Sequence, residues 1–400
     1  MPPLERARQA LADGRLEDAE LSARAAAEGG NRAGLLVLGE VLLRRGRHAE
    51  AARILAPRLE ASPDDAELAD IVARAWDGAG RADEAIAALA RRLTLVPDDA
   101  NAAVRLCELL LERKQAVDAG RVARAALKSH PGDARLHVIV ARSRLARGRV
   151  PQALEAAQEA TRLGPRYADA WLHLARIHLA SGDPEAAEKA LRKCIEVAPQ
   201  HGDALSRLGI LLVDRRQPKA AAPVLEQAVQ IVPDQVTAWN ALAAARHQLG
   251  DSDGALEAVD KAIALAPRNL VLLRNRSEIL LDTGRCAEAV ELAVETLELA
   301  RQAAPEKGAL DAAEEAAIRA IAADTISRYV CAGRNESEPL ERELEMNFGR
   351  HGLKVPVASL GEVADGVRAP VQAALARCTA GKPPASVPPM ATPASEKSPR

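Results

Sequence analysis

The stretch QIVPDQVTAWNALA, residues 230–243, decides the fold, because it places a proline shortly before a tryptophan in an apolar pattern typical of a helix. A stretch of the same form, EVAPQHGDALSRLG, occupies residues 196–209, thirty-four residues earlier. Prolines recur at this spacing: Pro63, Pro97, Pro131, Pro165, Pro199, Pro233 and Pro267. Alanines do the same: Ala51, Ala85, Ala119, Ala153, Ala187, Ala221, Ala255 and Ala289. A fixed period of this length indicates a repeat protein in which each repeat is one structural unit.

Counted from these marks, the chain contains eight repeats: 32–65, 66–99, 100–133, 134–167, 168–201, 202–235, 236–269 and 270–303. Positions 4, 7, 8 and 11 of a repeat form the stripe of an amphipathic helix. A turn such as Gly148-Arg149 follows, and then a second helix that the proline at position 32 ends. Capping residues of the next helix are expected at Asp65, Asp99, Asp133 and Asn269. Each repeat is therefore predicted to be a helical hairpin.

The period, the Trp/Leu-x-x-Leu-Gly/Ala run and the Ala-Ala-Pro marks of the second helix resemble the tetratricopeptide repeat (TPR) family. Residues 1–31 look like a truncated first repeat, because GRLEDAE at Gly14 echoes GRHAEAA at Gly46. The resemblance implies an all-α fold, a right-handed α-solenoid of helix-turn-helix repeats. It also implies that the first helix of each hairpin lines a concave groove.

Beyond the repeats, the pattern predicts C-terminal capping helices within 304–350, at 308–332 and at 337–348. A helical extension is predicted for 351–378, with its helix at 362–378. Residues 379–400 are rich in Pro, Ser and Ala, a composition typical of a disordered tail.

The composition excludes several classes of protein. Hydrophobic residues make up 48% of the chain and aromatic residues 2%, as expected for an interior filled by Ala, Leu and Val. A net charge of -2 gives no reason to expect nucleic acid as a partner. No apolar run approaches the length of a membrane span or a signal peptide, and the five cysteines form no CxxC pair. We therefore expect a cytoplasmic protein with reduced thiols and no membrane insertion.

Catalytic chemistry finds no support in the sequence. No phosphate-binding loop, dinucleotide-binding fingerprint or nucleophile elbow is present. His173 and His178 are five residues apart, so they do not share a helix face as paired metal ligands would. The paired acids Asp64-Asp65 and Asp98-Asp99 are better explained as helix caps. We predict no enzyme activity, no catalytic residue, no metal and no cofactor.

Positions 2, 6, 9 and 13 of each repeat lie opposite the packed stripe and are expected to line the groove. The predicted partner-binding residues are Arg74, Arg105, Arg135, Ile139, Arg142, His173, Arg176, Arg207 and Ile210. Since arginine offers a fork of donors to carboxylates, these residues would hold an acidic, partly apolar peptide. The alternative is a solvated face on which the arginines pair with acids of their own repeats.

The functional hypothesis is a non-catalytic scaffold or adaptor that binds a peptide or helix of a partner protein in the concave groove. Arg142, Arg176 and Arg207 are the residues on which this hypothesis depends most. Two alternatives stay open. The chain could be an assembly factor acting through its convex face or self-association. It could also be the recognition subunit of an enzyme complex in polysaccharide assembly, secretion or protein modification.

Overall fold

A computed structural model of the protein describes residues 1–28, 31–267, 269–285, 288, 289 and 292. Every regular element among these residues is an α-helix, which confirms the predicted all-α class. The helices belong to two compact units, an N-terminal unit Met1–Ala198 and a C-terminal unit that begins at Pro199. The predicted helices at 308–332, 337–348 and 362–378 and the predicted tail 379–400 lie outside the described residues.

The N-terminal unit consists of six helical hairpins, in which odd-numbered helices are the first (A) helices and even-numbered ones the second (B) helices. They are α1 (Pro3–Ala12), α2 (Leu16–Ala27), α3 (Arg32–Arg44), α4 (His48–Ala61), α5 (Ala66–Gly78), α6 (Ala82–Leu95), α7 (Ala100–Glu112), α8 (Ala116–Ala126), α9 (Ala134–Ala146), α10 (Val150–Leu163), α11 (Ala168–Ala180) and α12 (Pro184–Val197). The C-terminal unit contains α13 (Gly202–Asp214), α14 (Pro218–Ile231), α15 (Val236–Gln248), α16 (Ser252–Leu265) and α17 (Leu270–Asp282).

The stretch QIVPDQVTAWNALA, residues 230–243, contains the junction between α14 and α15. Pro233 follows the end of α14, and the indole Nε1 of Trp239 donates a hydrogen bond to the carbonyl oxygen of Pro233 at 2.8 Å. Trp171 makes the same bond to the carbonyl oxygen of Pro165 at 2.9 Å. The tryptophan thus fastens the start of an A helix to the proline turn that precedes it.

The four predicted caps are present. In each case the side-chain oxygen of the capping residue accepts a hydrogen bond from a backbone N–H in the first turn of the following helix, at 2.9 to 3.0 Å. These capping residues are Asp65, Asp99, Asp133 and Asn269. Each cap satisfies one of the N–H groups that a helix start leaves without an intrahelical partner.

Small residues set the spacing between helices. The repeated alanines at position 20 have no exposed surface in seven repeats: Ala51, Ala85, Ala119, Ala153, Ala187, Ala221 and Ala255. Position 8 is equally tight, because a Cβ at Gly39 would collide with Leu55 and Ile71. Helix axes can approach closely only where such small side chains meet.

The A helices form the more closely spaced of the two helical layers within the N-terminal unit. Four of the five successive pairs of A helices contact each other directly: α1 with α3, α3 with α5, α7 with α9, and α9 with α11. Successive B helices of this unit, as far as the structure describes it, make no comparable contact. Since the closer layer lies on the inner side of a curved stack, the A helices provide the concave side of this unit.

The turn inside each hairpin contains one residue with a left-handed backbone. This residue is glycine in seven repeats, the truncated first one included, with φ between 70° and 83°: Gly14, Gly46, Gly80, Gly148, Gly182, Gly250 and Gly284. Lys114 and Arg216 occupy the same position in the other two repeats, with φ of 59° and 56°. A side chain is strained in this conformation, whereas glycine adopts it without strain.

Lys114→Gly and Arg216→Gly are therefore expected to raise the free energy of unfolding by about 0.5 to 1 kcal/mol each. The left-handed conformation costs a non-glycine residue about 1 to 2 kcal/mol, of which the greater freedom of glycine in the unfolded chain offsets a part. Denaturant unfolding followed by circular dichroism measures the change. Gly80→Lys serves as the reverse variant and should lower stability; equal or reduced stability of both glycine variants would contradict the assignment of strain.

Candidate protein-binding surface

The candidate surface is the A-helix face of the N-terminal unit, formed by positions 2, 6, 9 and 13 of α3, α5, α7, α9 and α11. The structure does not expose all of these positions. Ile139, at position 6 of its repeat, is 2% exposed, and Ile71 at the same position is also buried. Ile139 therefore contributes to packing between helices, whereas Arg105 at the same position of its repeat is partly exposed.

Arg74 lies on this face and is bound by carboxylates of the protein itself. Its Nη1 is 3.0 Å from Glu40 of the preceding repeat, and its Nε is 2.9 Å from Asp70 on its own helix. Glu40 and Arg74 are the position 9 residues of successive repeats. The pair therefore links α3 to α5 across the face.

Arg105 is bound in the same manner. Its Nε and Nη2 each lie 2.6 Å from a carboxylate oxygen of Asp77, and its Nη1 is 3.0 Å from Glu108. Hydrogen bonding to Asp77 raises the pKa of Arg105, although burial opposes this shift. A bidentate pair of this kind holds the guanidinium in one orientation.

Arg135 pairs with the cap of its own helix. Its Nη2 is 2.7 Å from Asp133, and its Nη1 donates to Asn101 of the preceding repeat at 2.8 Å. Hydrogen bonding to Asp133 raises the pKa of Arg135. Burial tends to raise the pKa of Asp133, but the hydrogen bonds from Arg135 outweigh it and lower that pKa below its ordinary value. The alternative expectation, that these arginines pair with nearby acids, thus describes Arg74, Arg105 and Arg135.

Arg142 differs from these three arginines. It is partly buried at position 9 of α9, and no described carboxylate lies within ion-pair distance of it. Glu108 is thirty-four residues earlier, the spacing that joins Glu40 to Arg74, but Glu108 pairs with Arg105 instead. The guanidinium of Arg142 therefore keeps its ion-pairing capacity.

The remaining predicted residues divide between the two units. His173 and Arg176 lie on α11, and both have interaction partners. In the C-terminal unit, the Nε of Arg207 is 3.0 Å from Asp203 one helical turn earlier, and Ile210 is partly buried. The structure thus brings Arg105, Arg135 and Arg142 onto neighbouring helices α7 and α9.

Tyr167 also belongs to this region and was not predicted from the sequence. It packs against the buried cluster of Val138, Ala160 and Ala170. Burial raises the pKa of Tyr167 to about 12, and the nearby carboxylate of Asp169 adds to the shift. Tyr167 stands at the cap position that Asp or Asn occupies in four other repeats, and its side chain forms no cap hydrogen bond. His201 and Gln235 also depart from Asp or Asn at this position, so the sequence pattern alone does not single out Tyr167.

Reactive groups are not concentrated anywhere in the described part of the chain. Cys107 is buried, its thiol donates to the carbonyl oxygen of Ala119 at 3.3 Å, and burial raises its pKa to about 12. No group of three potential metal ligands occurs among the described residues. Of the helices α1 to α17, none has both the length and the apolar character required for a membrane span.

Comparison with protein families agrees with this architecture. Models described as tetratricopeptide repeat match residues 4–66 and 141–202, residues 78–142 and 179–246, and residues 236–269. Together they cover more than half of the chain, which therefore belongs to the tetratricopeptide repeat family. No protein of curated function matches the sequence.

Several solved structures of TPR proteins are similar to parts of this chain. A tetratricopeptide repeat protein from Parabacteroides merdae ATCC 43184 is 18% identical over 60% of this chain and 96% of its own, with a TM-score of 0.50. MamA from Desulfovibrio magneticus RS-1 is 24% identical over 43% of this chain and 98% of its own, with a TM-score of 0.42. YrrB, a TPR protein with an unusual peptide-binding site, is 18% identical over 46% of this chain and 96% of its own, with a TM-score of 0.38. At 18% identity the likeness to the Parabacteroides merdae protein concerns the fold alone.

Proposed function

We propose that this TPR protein is a non-catalytic scaffold that binds an acidic segment of a partner protein on the A-helix face of the N-terminal unit. Stacked repeats of this class provide extended binding surfaces. The observation that carries the proposal is Arg142, a partly buried arginine on this face without a carboxylate partner among the described residues.

The ion pairs around Arg142 explain why this arginine would select an acidic partner. Arg105 holds Glu108, the position 9 acid of the preceding repeat, and Arg135 binds Asp133 at the start of α9, so neither of these acids is available to Arg142. Partial burial strengthens the interaction of a charge with an incoming carboxylate, because the local dielectric is lower than in water. A carboxylate of the partner can then form a paired hydrogen bond with the guanidinium of Arg142.

The paired arginines have a different role in this proposal. Arg74, Arg105 and Arg135 link successive A helices and so keep the face rigid. A rigid face loses less conformational entropy on binding than a mobile one. Because Ile139 is buried, the partner needs no apolar side chain at that point, and acidity is its defining property.

Arg142→Glu is expected to weaken binding of the partner by about tenfold to a hundredfold, because it replaces attraction by repulsion at a partly buried site. Capture with the intact chain and mass spectrometry would first identify the partner. Isothermal titration with the purified partner then compares the wild type with the variant.

The matched control is Arg162→Glu, the same charge change on the B helix α10 of the same repeat. The side chain of Arg162 is exposed and its pairing with Glu159 lies away from the A-helix face. This control should leave the affinity unchanged. Equal affinities of the wild type and Arg142→Glu, with both proteins folded by circular dichroism, would rule out this surface.

A further inference from the structure

A second group of arginines lies where the B helix α8 meets the hairpin of α9 and α10. We call it the edge cluster; it consists of Arg124 and Arg144, together with Arg147 and Arg149 in the adjacent turn between α9 and α10. Arg144 is partly buried, and the other three are exposed. Among the described residues, no carboxylate lies within ion-pair distance of any of the four. Asp118, an acid on α8, is bound by Arg121 at 3.0 Å.

Arg144 has a counterpart in the C-terminal unit that shows what this position binds. Arg246 occupies the same place in its repeat, and its Nη1 donates to the carbonyl oxygen of Gly254 at 3.1 Å. The Nη1 of Arg144 donates to the carbonyl oxygen of Gln152, also eight residues later, at 2.8 Å. The two arginines therefore lie against the following B helix in the same way.

Arg144 and Arg246 differ in whether a carboxylate lies beside the guanidinium group. The Nη2 of Arg246 is 2.9 Å from Glu226, which lies twenty residues earlier on the preceding B helix. The residue twenty positions before Arg144 is Arg124. Where the C-terminal unit supplies a carboxylate to its arginine, the N-terminal unit supplies a second cation.

Arg124 points toward α9 rather than away from it. A Cβ atom added to Gly120 would lie 3.4 Å from Nη1 of Arg124 and would collide with Oγ of Ser143 on α9. The side chains of Arg124 and Ser143 therefore both lie beside Gly120. Ser143 directly precedes Arg144 and donates to the carbonyl oxygen of Ala116 at 2.5 Å. The close approach of α8 and α9 therefore places the guanidinium of Arg124 in the neighbourhood of Arg144.

The geometry points to a binding site at the edge cluster for an acidic segment of a partner protein, with one of its carboxylates in the role that Glu226 plays beside Arg246. Carboxylate is the expected ligand because the equivalent arginine of this same chain already binds one. The additional cation Arg124 favours a segment with at least two acidic residues. The edge cluster is separate from the A-helix face and does not depend on Arg142.

The test uses the intact chain and fluorescein-labelled hexaglutamate, followed by fluorescence anisotropy at low ionic strength. Arg124→Glu restores the internal carboxylate found in the C-terminal unit. We expect Arg124→Glu to weaken peptide binding by about tenfold, because it removes the charge of Arg124 and its new carboxylate pairs with Arg144. The thermal midpoint should rise at the same time, because Arg144 gains an internal partner. Arg124→Ala should weaken binding less and leave the midpoint unchanged.

The reciprocal variant, Glu226→Ala, frees Arg246 and is expected to strengthen binding of hexaglutamate by about threefold. Glu257→Ala, which removes an exposed acid from α16, is its charge-matched control and should have less effect. Arg162→Glu provides the corresponding control for Arg124→Glu.

Unchanged affinity in Arg124→Glu would overturn the proposal. Tighter, Arg124-dependent binding of a single-stranded oligonucleotide would overturn the assignment to an acidic protein segment.

Discussion

Replacement of Leu42 by Ala is expected to lower the free energy of unfolding of the N-terminal unit by about 3 kcal/mol. Leu42 has no exposed surface and packs in a cluster with Leu38, Ala51 and Ala75. Most neighbours in this cluster are alanines, whose short side chains cannot extend into the space that Leu42 would leave. The cavity should therefore persist, and its cost adds to the lost burial of apolar surface.

Hydrogen exchange measured by mass spectrometry is the suitable readout, because repeat proteins open locally as well as globally. Amides of α3, α4 and α5 should exchange roughly a hundredfold faster in Leu42→Ala than in the wild type. Leu21→Ala is the control, since Leu21 is 74% exposed. Similar exchange in the two variants would show that Leu42 is not a core residue.

Replacement of Glu20 by Gln is expected to destabilise the same unit by about 2 to 3 kcal/mol. Glu20 is buried on α2, and three arginines donate to its carboxylate: Arg24 at 2.7 Å, Arg45 at 2.6 Å and Arg47 at 2.8 Å. The change leaves three guanidinium groups without this partner. The expected loss stays below that of a fully buried pair because the arginines are partly exposed and can be hydrated.

The Glu20 cluster also predicts a pH dependence. Burial tends to raise the pKa of Glu20, but Arg24 and Arg47 outweigh it, so the pKa in the folded protein lies below the ordinary value of 4.5. The stabilisation is therefore complete above the ordinary pKa and is lost as the pH falls toward the lowered one. Stabilities of the wild type and Glu20→Gln should differ at neutral pH and converge in acid. Glu155→Gln, at an exposed position on α10 with no ion pair among the described residues, is the control and should cause no measurable change.

The helical framework could be predicted from the sequence because the repeat fixes it. Each proline, buried alanine and capping residue acts on its own hairpin, so reading one repeat gives the others. The left-handed backbone at Lys114 and Arg216 follows from the same register, since glycine holds that position in the other repeats. Local rules of this kind do not depend on the three-dimensional arrangement.

The surface was harder to predict because ion pairing depends on which side chains meet across repeats. Arg74 and Arg142 occupy the same position of their repeats, yet Arg74 pairs with Glu40 while Arg105 prevents the equivalent pair at Arg142. Burial of Ile139 likewise follows from how closely neighbouring A helices pack. Neither outcome can be read from the pattern of a single repeat.

Site-specific photocrosslinking tests the central claim most directly, namely that the A-helix face around Arg142 holds an acidic segment of a partner. A benzophenone amino acid replaces exposed Ala146, one helical turn after Arg142, or exposed Gln158 on the B helix of the same repeat. We predict crosslinks at position 146 to partner peptides rich in Asp and Glu, and their loss when Arg142→Glu is added. Equal crosslinking at position 158, or crosslinks at position 146 that persist in Arg142→Glu, would contradict the account.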